Sequence, residues 1–425
     1  MDTTQMNDTL ETKNKSAKHI KHISGEIITT ARQVSIDIKS RNLIIIGRNG
    51  SGKTSFLKSL HQILMNNIDE GQLSQLENLR DQLRQAEETH QPRINPITRI
   101  SGHESTLSYY REAIKKITEP LSISYVSSDN FVKEYKEAHA IIRFYEATRK
   151  SEILKVTAAT ALTPEMPDYK KKENLGRNLE QHLVNLEVNI GLAMRKGNKE
   201  KIQRIETWFK AFEKNLKFLF EDDSIHTVFD DENLAFSLKQ DNRPPYSFQS
   251  LSSGYLAIFE IYADLLVRTE YFSVLPTELR GVVLIDEIDA HLHTSLQRKI
   301  FPFFTRSFPN IQFIVTTHSP FVVTSIDDAL IYDISTGQEC EDLSLFSLEH
   351  VVEGILGVPP ISQKMQDLLQ ELTSKSNDEN FIPEDINKLL EALSPHADTL
   401  DDESRMFYEI ALNKYLTKKR ARKNV

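Results

Sequence analysis

Gly47 to Thr54, GRNGSGKT, fit the spacing G-x-x-x-x-G-K-T and follow directly on the apolar run Leu43-Ile44-Ile45-Ile46. Glycines let the backbone approach a ligand closely, so the N–H groups of Gly47, Arg48, Asn49, Gly50, Ser51 and Gly52 can line a concavity of phosphate size. Lys53 is placed to reach the β- and γ-phosphates of a nucleotide, and Thr54 to offer its hydroxyl to Mg²⁺. A helix starting at Ser55 adds the positive end of its dipole. Strand, glycine loop and helix in that order is the context in which this spacing binds phosphate.

Later segments supply the rest of such a site. Gly281 to Glu287, GVVLIDE, reads as a buried strand ending in two carboxylates. Adjacent acids beside an apolar strand are costly to bury unless they meet a cation. Asp286 is expected in the Mg²⁺ shell, and Glu287 is placed to polarise an attacking water. A second apolar strand, Ile311 to Thr316, leads to Thr317-His318-Ser319-Pro320, where His318 can hydrogen-bond a γ-phosphate. Leu251-Ser252-Ser253-Gly254-Tyr255 opens an apolar helix to about Val267, and Ser252, Ser253 and Gly254 there can form an anion site. Any serine-glycine helix start looks alike, so position along the chain gives this one its weight. His291, His293 and His318 raise a zinc alternative, but the adjacent acids suit Mg²⁺ better and no H-E-x-x-H is present.

The elements that must hold these groups follow from apolar periodicity. Glu26 to Thr30 and Val34 to Ile38 alternate as half-buried strands do, and the loop's helix is expected to run to about Met65. Residues 66 to 95 are glutamine-rich with Leu73, Leu76, Leu79 and Leu83 at helical spacing, too short for a sustained coiled coil. A turn-rich stretch from Pro92 to Gly102, a helix near 104–117 and a strand Leu121 to Val126 come next. Residues 131 to 220 read as mostly helical, broken at Pro164 and Pro167. Lys170 to Lys172, Arg195, Lys196, Lys199, Lys201 and Arg204 make that region locally basic, as solvated helix faces or a nucleic-acid track. Trp208, Phe209, Phe212, Phe218 and Phe220 read as core rather than as base-stacking groups. Strand-like segments return from Phe229 to Phe248, Ala329 to Asp333 adds another strand, and helices are expected near 348–355, 361–373, 384–393 and 402–416.

The bulk composition narrows the class. The chain has 425 residues, 27% charged and 39% hydrophobic, with a net charge of -9 that argues against a generally basic nucleic-acid binder. Lys418 to Lys423 is a local basic tail, read first as solubilising. No apolar run approaches about 18 residues, so a membrane span is not expected. The polar start MDTTQMNDTLETKNKS lacks an apolar core, and Cys340 is the only cysteine. Both features point to a cytoplasmic protein without an internal disulfide.

Together these motifs resemble the ATP-binding-cassette (ABC) class of P-loop ATPases: GRNGSGKT as the phosphate loop, LSSGY as the signature, LIDEIDAHLH as the Walker B strand and D-loop, TTHSP as the switch histidine. Ser253 stands where glycine is usual in the signature, Tyr255 where glutamine is usual, and His293 where the D-loop has aspartate. No glutamine marks the Q-loop, and Asp129 or Asn130 are stand-ins for it. The implied fold is α/β: an ABC-type head formed by 1–65 and 221–343, interrupted by a mainly helical insertion, 66–220, with one head strand near 121–126. A helical block, 344–425, follows.

The architecture is similar to the SMC/RecF/OLD-like branch, and most to the ATPase subunits of Septu anti-phage systems (PtuA). OLD proteins continue after the switch histidine into a TOPRIM nuclease domain, whereas the residues beyond about Phe346 read as helices without a nuclease cluster. The resemblance implies ATP and Mg²⁺ as cofactors and a head-to-tail dimer or higher even-numbered oligomer, each signature loop closing on the other protomer's γ-phosphate. It also implies a separate HNH nuclease subunit, with DNA met directly or through that partner and no membrane. The alternatives are an SMC/RecF-like repair ATPase that clamps DNA itself, and a nucleotide-sensing scaffold with little turnover.

Overall fold

A computed structural model describes residues 18–88, 96–149, 152–156, 158, 174–272, 274–354, 362–378, 382–400 and 402–423. Residues 1–17, Pro164, Pro167 and Lys170 to Lys172 lie outside that set. The chain divides into two compact units after Phe346.

The first unit is organised by its strands: β1 Ile20–Ile27, β2 Arg32–Asp37, β3 Asn42–Ile46, β4 Leu121–Tyr125, β5 Ala140–Tyr145, β6 His226–Asp230, β7 Ala235–Gln240, β8 Arg243–Ser247, β9 Arg280–Ile285, β10 Ile311–Thr316, β11 Ala329–Asp333 and β12 Gln338–Glu341. Six of them form one sheet in the order β12-β11-β3-β10-β9-β5. All its pairings are parallel except β11 with β12. Residues 43–46 and every residue of β10 are buried, which is why these strands read as mainly apolar runs, broken in β10 by the buried Gln312, rather than as alternating ones. Parallel pairing places the C-terminal ends of β3, β10, β9 and β5 side by side along one edge, where open α/β sheets present their ligand-binding loops.

A second sheet, β2-β1-β4, is antiparallel. β1 ends at Ile27, and residues 28–31 are the hairpin turn rather than the strand expected through Thr30. A third, β6-β7-β8, is a meander within the segment read as strand-like.

Among the helices, α1 is Lys53–Ile68, α2 Gln72–Glu88, α3 Pro96–Thr118 and α4 Ser128–Lys136. The helix α3 starts inside the stretch expected to be turns. Leu73 and Leu76 of α2 are buried, and Arg111 of α3 lies 3.0 Å from Glu87 of α2, so these helices pair. Further on, α5 Leu179–Arg195 and α6 Lys199–Phe220 precede α7 Ser253–Phe272, α8 Thr294–Ser307 and the single turn α9 Pro320–Val323. Trp208 stacks on Phe212 at 5.4 Å and Phe220 on Tyr255 at 4.2 Å, so the aromatic run of α6 packs against α7. Among the described residues, segment 66–220 therefore holds two strands besides its helices, β4 in the antiparallel sheet and β5 at the edge of the large one.

Buried polar groups tie β5 to α7. Asp264, wholly buried, accepts from Tyr145 Oη at 2.6 Å, Leu175 N at 2.7 Å and Arg268 Nε at 2.8 Å. Desolvation opposes its charge, but Arg268, then Arg143, and the bonds from Arg268 and Tyr145 hold its carboxyl below the usual range.

The second unit contains α10 Leu348–Gly354, α11 Gln363–Asn377, α12 Pro383–Leu393 and α13 Asp402–Lys423. Leu369, Leu372, Ile386, Leu390, Leu393 and Tyr415 pack in its own small core.

Candidate nucleotide site

The glycine loop leaves β3 at Ile46. Gly47 has φ +146°, and a Cβ there would lie 2.7 Å from Ser335 Oγ and 2.8 Å from Ile334 Cγ2, so neither conformation nor space admits a side chain. Arg48 N donates to Ser335 Oγ at 2.8 Å and Ser51 N to Arg48 O at 3.2 Å, closing the loop on itself. Arg48, Asn49 and Gly50 are all exposed. Gly52, at φ +96°, is the cap of α1. The helix thus begins at Lys53, two residues before the expected Ser55, and its first turn carries both Lys53 and Thr54. No side chain caps it, so the ordinary start signal is missing from the sequence.

Lys53 is buried, and its Nζ donates to Gly47 O at 2.8 Å and Arg48 O at 3.2 Å. An ammonium has three protons; these two bonds leave one for a phosphate oxygen. Burial lowers the Lys53 pKa, and Glu287, Asp286, Asp333 and Asp289 oppose that shift.

Adjacent strands bring the acids to this loop. Thr54 Oγ1 donates to Asp286 Oδ2 at 2.7 Å, joining the start of α1 to the end of β9. Thr316, last residue of β10, donates its hydroxyl to Asp286 Oδ1 at 2.6 Å. That hydroxyl also accepts from Glu287 N at 2.7 Å. Glu287 has φ +45°, a left-handed conformation uncommon for this residue type. Thr317 Oγ1 donates to Asp289, and Ser319 caps the following turn by accepting from Phe321 N at 3.1 Å. His318, between them, is exposed; partial desolvation and then the nearby Lys53 charge lower its pKa, against Asp289, Glu287 and Asp286.

These residues fit a nucleotide triphosphate with its metal. The Ser51 hydroxyl is buried without a hydrogen-bond partner, so the loop carries an unsatisfied polar atom. One carboxylate, Asp286, and one hydroxyl, Thr54, already meet at 2.7 Å. Mg²⁺ typically takes one or two carboxylates and completes its octahedron with phosphate oxygens and water. No group of three or more His, Cys, Asp or Glu able to hold a metal occurs among the described residues. His293 instead caps α8, accepting from Ser295 N at 3.4 Å.

The signature segment lies at the start of α7. Ser252 and Ser253 are exposed, and Leu256 N donates to Ser252 O at 2.9 Å. Gly254 is buried, and a Cβ on it would come within 3.4 Å of His291 O, so the segment rests on the D-loop.

The coupling residues expected from the sequence need correction. Asp129 and Asn130 belong to α4, which follows β4 of the antiparallel sheet; Asn130 Nδ2 donates to Glu134 at 3.1 Å. The strand beside β9 is β5, and the chain leaving it is Glu146 to Arg149. Arg149 Nη2 donates to Asp286 O at 2.7 Å and to Glu287 O at 3.0 Å. Sequence reasoning misses β5 and Arg149. The available signal is AIIRFY, two β-branched isoleucines and two aromatics around Arg143, whose charge is answered by Asp264 at 3.4 Å.

A cavity of about 850 Å³ opens elsewhere, lined by Lys18, Arg41, Asn42, Arg306, Asn310 and Asp328 among others. Asn42, Asn310 and Asp328 sit at or just before the starts of β3, β10 and β11, the opposite edge of the sheet.

Residues 190–324 match the family model described as "AAA domain, putative AbiEii toxin, Type IV TA system". The retron Ec83 probable ATPase of Escherichia coli is 37% identical over 183 residues, 41% of this chain and 33% of the relative. The Septu protein PtuA of Bacillus mycoides is 25% identical over 334 residues, 73% of this chain and 39% of that one. The chain therefore spans well under half the length of these relatives. An SMC head bound to the C-winged helix domain of ScpA aligns with a TM-score of 0.37 and 14% identity, over 76% of this chain and 96% of that one. Over the aligned segments the chain is thus similar to the Septu PtuA and retron ATPase proteins.

Proposed function

We propose that this chain binds and hydrolyses Mg-ATP, and that its nucleotide state governs a partner HNH nuclease acting on DNA in an anti-phage defence complex. The observation that carries the ATPase reading is the meeting of Thr54, Asp286 and Thr316 at the ends of three elements, with Lys53 and Glu287 beside them. Thr54 and Asp286 would hold Mg²⁺, which draws charge from the phosphates and lowers the barrier to displacement. Lys53 and the loop amides from Gly47 to Thr54 orient the β- and γ-phosphates, and Ser55 follows them in the first turn of α1. Glu287 accepts a proton from the attacking water, and His318 contacts the γ-phosphate side of the site.

Ser252, Ser253 and Gly254 serve a second copy of the chain. The exposure of both serines supports a composite site in a head-to-tail dimer or a higher even-numbered assembly. The defence role rests on the likeness to the Septu and retron proteins, and the nuclease partner with its DNA target on the family resemblance.

The test is Glu287→Gln beside wild type and Lys53→Ala in the full chain. Wild type should turn over ATP with Mg²⁺. Glu287→Gln should keep nucleotide affinity, lose turnover by about 100-fold or more, and accumulate as an ATP-bound dimer. Lys53→Ala should lose affinity. Normal hydrolysis by Glu287→Gln would show that Glu287 is not the general base.

A further inference from the structure

We infer that Arg149 is a positioning residue for ATP hydrolysis, a clamp that fixes the Asp286–Glu287 turn; the inference rests on the ATPase reading above. The turn is held from two sides. On the β10 side Thr316 binds Asp286 Oδ1 and Glu287 N, and Ile288 N donates to Thr316 O at 3.0 Å. On the β5 side Asp286 N donates to Tyr145 O at 2.9 Å, and Arg149 Nη2 adds its paired bonds to the two carbonyls.

The clamp has a physical reason to exist. A glutamate at φ +45° carries backbone strain and keeps that conformation only where its surroundings over-determine it. Arg149 supplies part of that determination by binding the carbonyls of both Asp286 and Glu287. Its own fork is anchored, because Nε donates to Glu146 O at 3.1 Å. Asp286, Glu287 and Asp289 of the turn, and Glu260 of α7, all lie within electrostatic reach of the guanidinium, so the same group offsets the repulsion among these acids. Relaxing the turn would swing the Glu287 carboxylate away from the water it must activate. A misplacement of about 1 Å costs on the order of 100-fold in rate. Lys53 and the glycine loop lie on a different strand end, so nucleotide affinity should change little.

The test uses the full chain with Arg149→Met, which keeps the apolar stem but removes the donors, and Arg149→Lys. One nitrogen makes both carbonyl bonds, so a lysine can restore them. Melting temperature, Mg-ATP affinity, kcat and KM are measured for each, with Glu287→Gln as reference. The expected result for Arg149→Met is a kcat about 10- to 100-fold lower, affinity and KM within about threefold, and recovery of most of kcat in Arg149→Lys. A folded Arg149→Met with kcat within about threefold of wild type would overturn the inference. So would equal losses of affinity and turnover, or failure of both variants to fold, since those mark a binding or purely structural residue. Absence of any wild-type turnover that Glu287→Gln abolishes would instead sink the ATPase reading, and this inference with it.

Discussion

The Thr316 hydroxyl donates to Asp286 Oδ1 at 2.6 Å while it accepts from Glu287 N at 2.7 Å, so one oxygen sets both the side chain of the acid proposed for the metal and the backbone of the acid proposed for water. Thr316→Val keeps the shape and removes both bonds. A buried acceptor and an amide lose their partner, each worth about 1–3 kcal/mol. The variant should melt earlier and lose turnover by about 10-fold or more, while Thr316→Ser should behave nearly as wild type. Thermal melting with steady-state ATPase assays decides it.

On the proposed ATPase reading, the acids around Lys53 should make the metal a condition of binding. Asp286, Glu287, Asp289 and Asp333 all act on that lysine. A metal-free triphosphate would meet this negative field with Lys53 as its main counter-charge. Chelation should therefore weaken ATP affinity by at least about 100-fold, roughly 2.7 kcal/mol. Asp286→Asn removes one repelling charge as well as the metal ligand. It should bind metal-free ATP more tightly than wild type does and respond little to Mg²⁺, as titration calorimetry with and without chelator would reveal.

Much of this site is legible in the sequence because its chemistry is local. Gly47 to Thr54, Asp286, Glu287 and His318 each follow an apolar strand, and parallel pairing of β3, β10 and β9 is what joins them. The less legible parts depend on tertiary partners. β5 is hidden because Arg143 interrupts its apolar run, a charge answered by tertiary partners such as the buried Asp264 of α7. Arg149 acts through backbone carbonyls, which carry no residue signature. The sequence places the start of α1 two residues late because Gly52, a left-handed cap with no side chain, replaces the usual serine or aspartate. Tyr255 departs from the signature pattern; its ring stacks on Phe220 at 4.2 Å, a contact no local reading of LSSGY supplies.

Two loop glycines should respond differently to alanine. Gly47 is closed in by Ser335, Ile334 and Ser51, whereas a Cβ on Gly50, at φ +75°, meets nothing within 4 Å. Gly50→Ala therefore costs backbone strain alone, about 1–2 kcal/mol. Gly47→Ala adds overpacking of about 1–3 kcal/mol and must displace Ser335, which receives the Arg48 amide. The melting temperature of Gly47→Ala should fall clearly below that of Gly50→Ala. Equal melting points would contradict the packing described around Gly47.

His182 gives the fold an acid limit. It is 1% exposed, neither ring nitrogen has a hydrogen-bond partner, and its ring meets Trp208 edge-on at 5.1 Å. Burial lowers its pKa from 6.5 to about 4. The folded state therefore prefers the neutral ring, while the unfolded chain takes up a proton near its ordinary pKa. The resulting contribution to stability is complete above pH 6.5 and is lost progressively as pH falls toward 4. Desolvation also lowers His19 and His61 to about 4, His19 against the opposing charge of Glu134 and His61 with help from Arg143, so all three act in the same window. His182→Leu, of similar size, removes one titrating group and two unsatisfied polar atoms. It should leave the melting temperature at about pH 7.5 unchanged or higher and flatten its decline between roughly pH 6.5 and 4.5. An acid limb as steep as wild type's, in melting curves taken across that range, would mean that His182 does not titrate on unfolding.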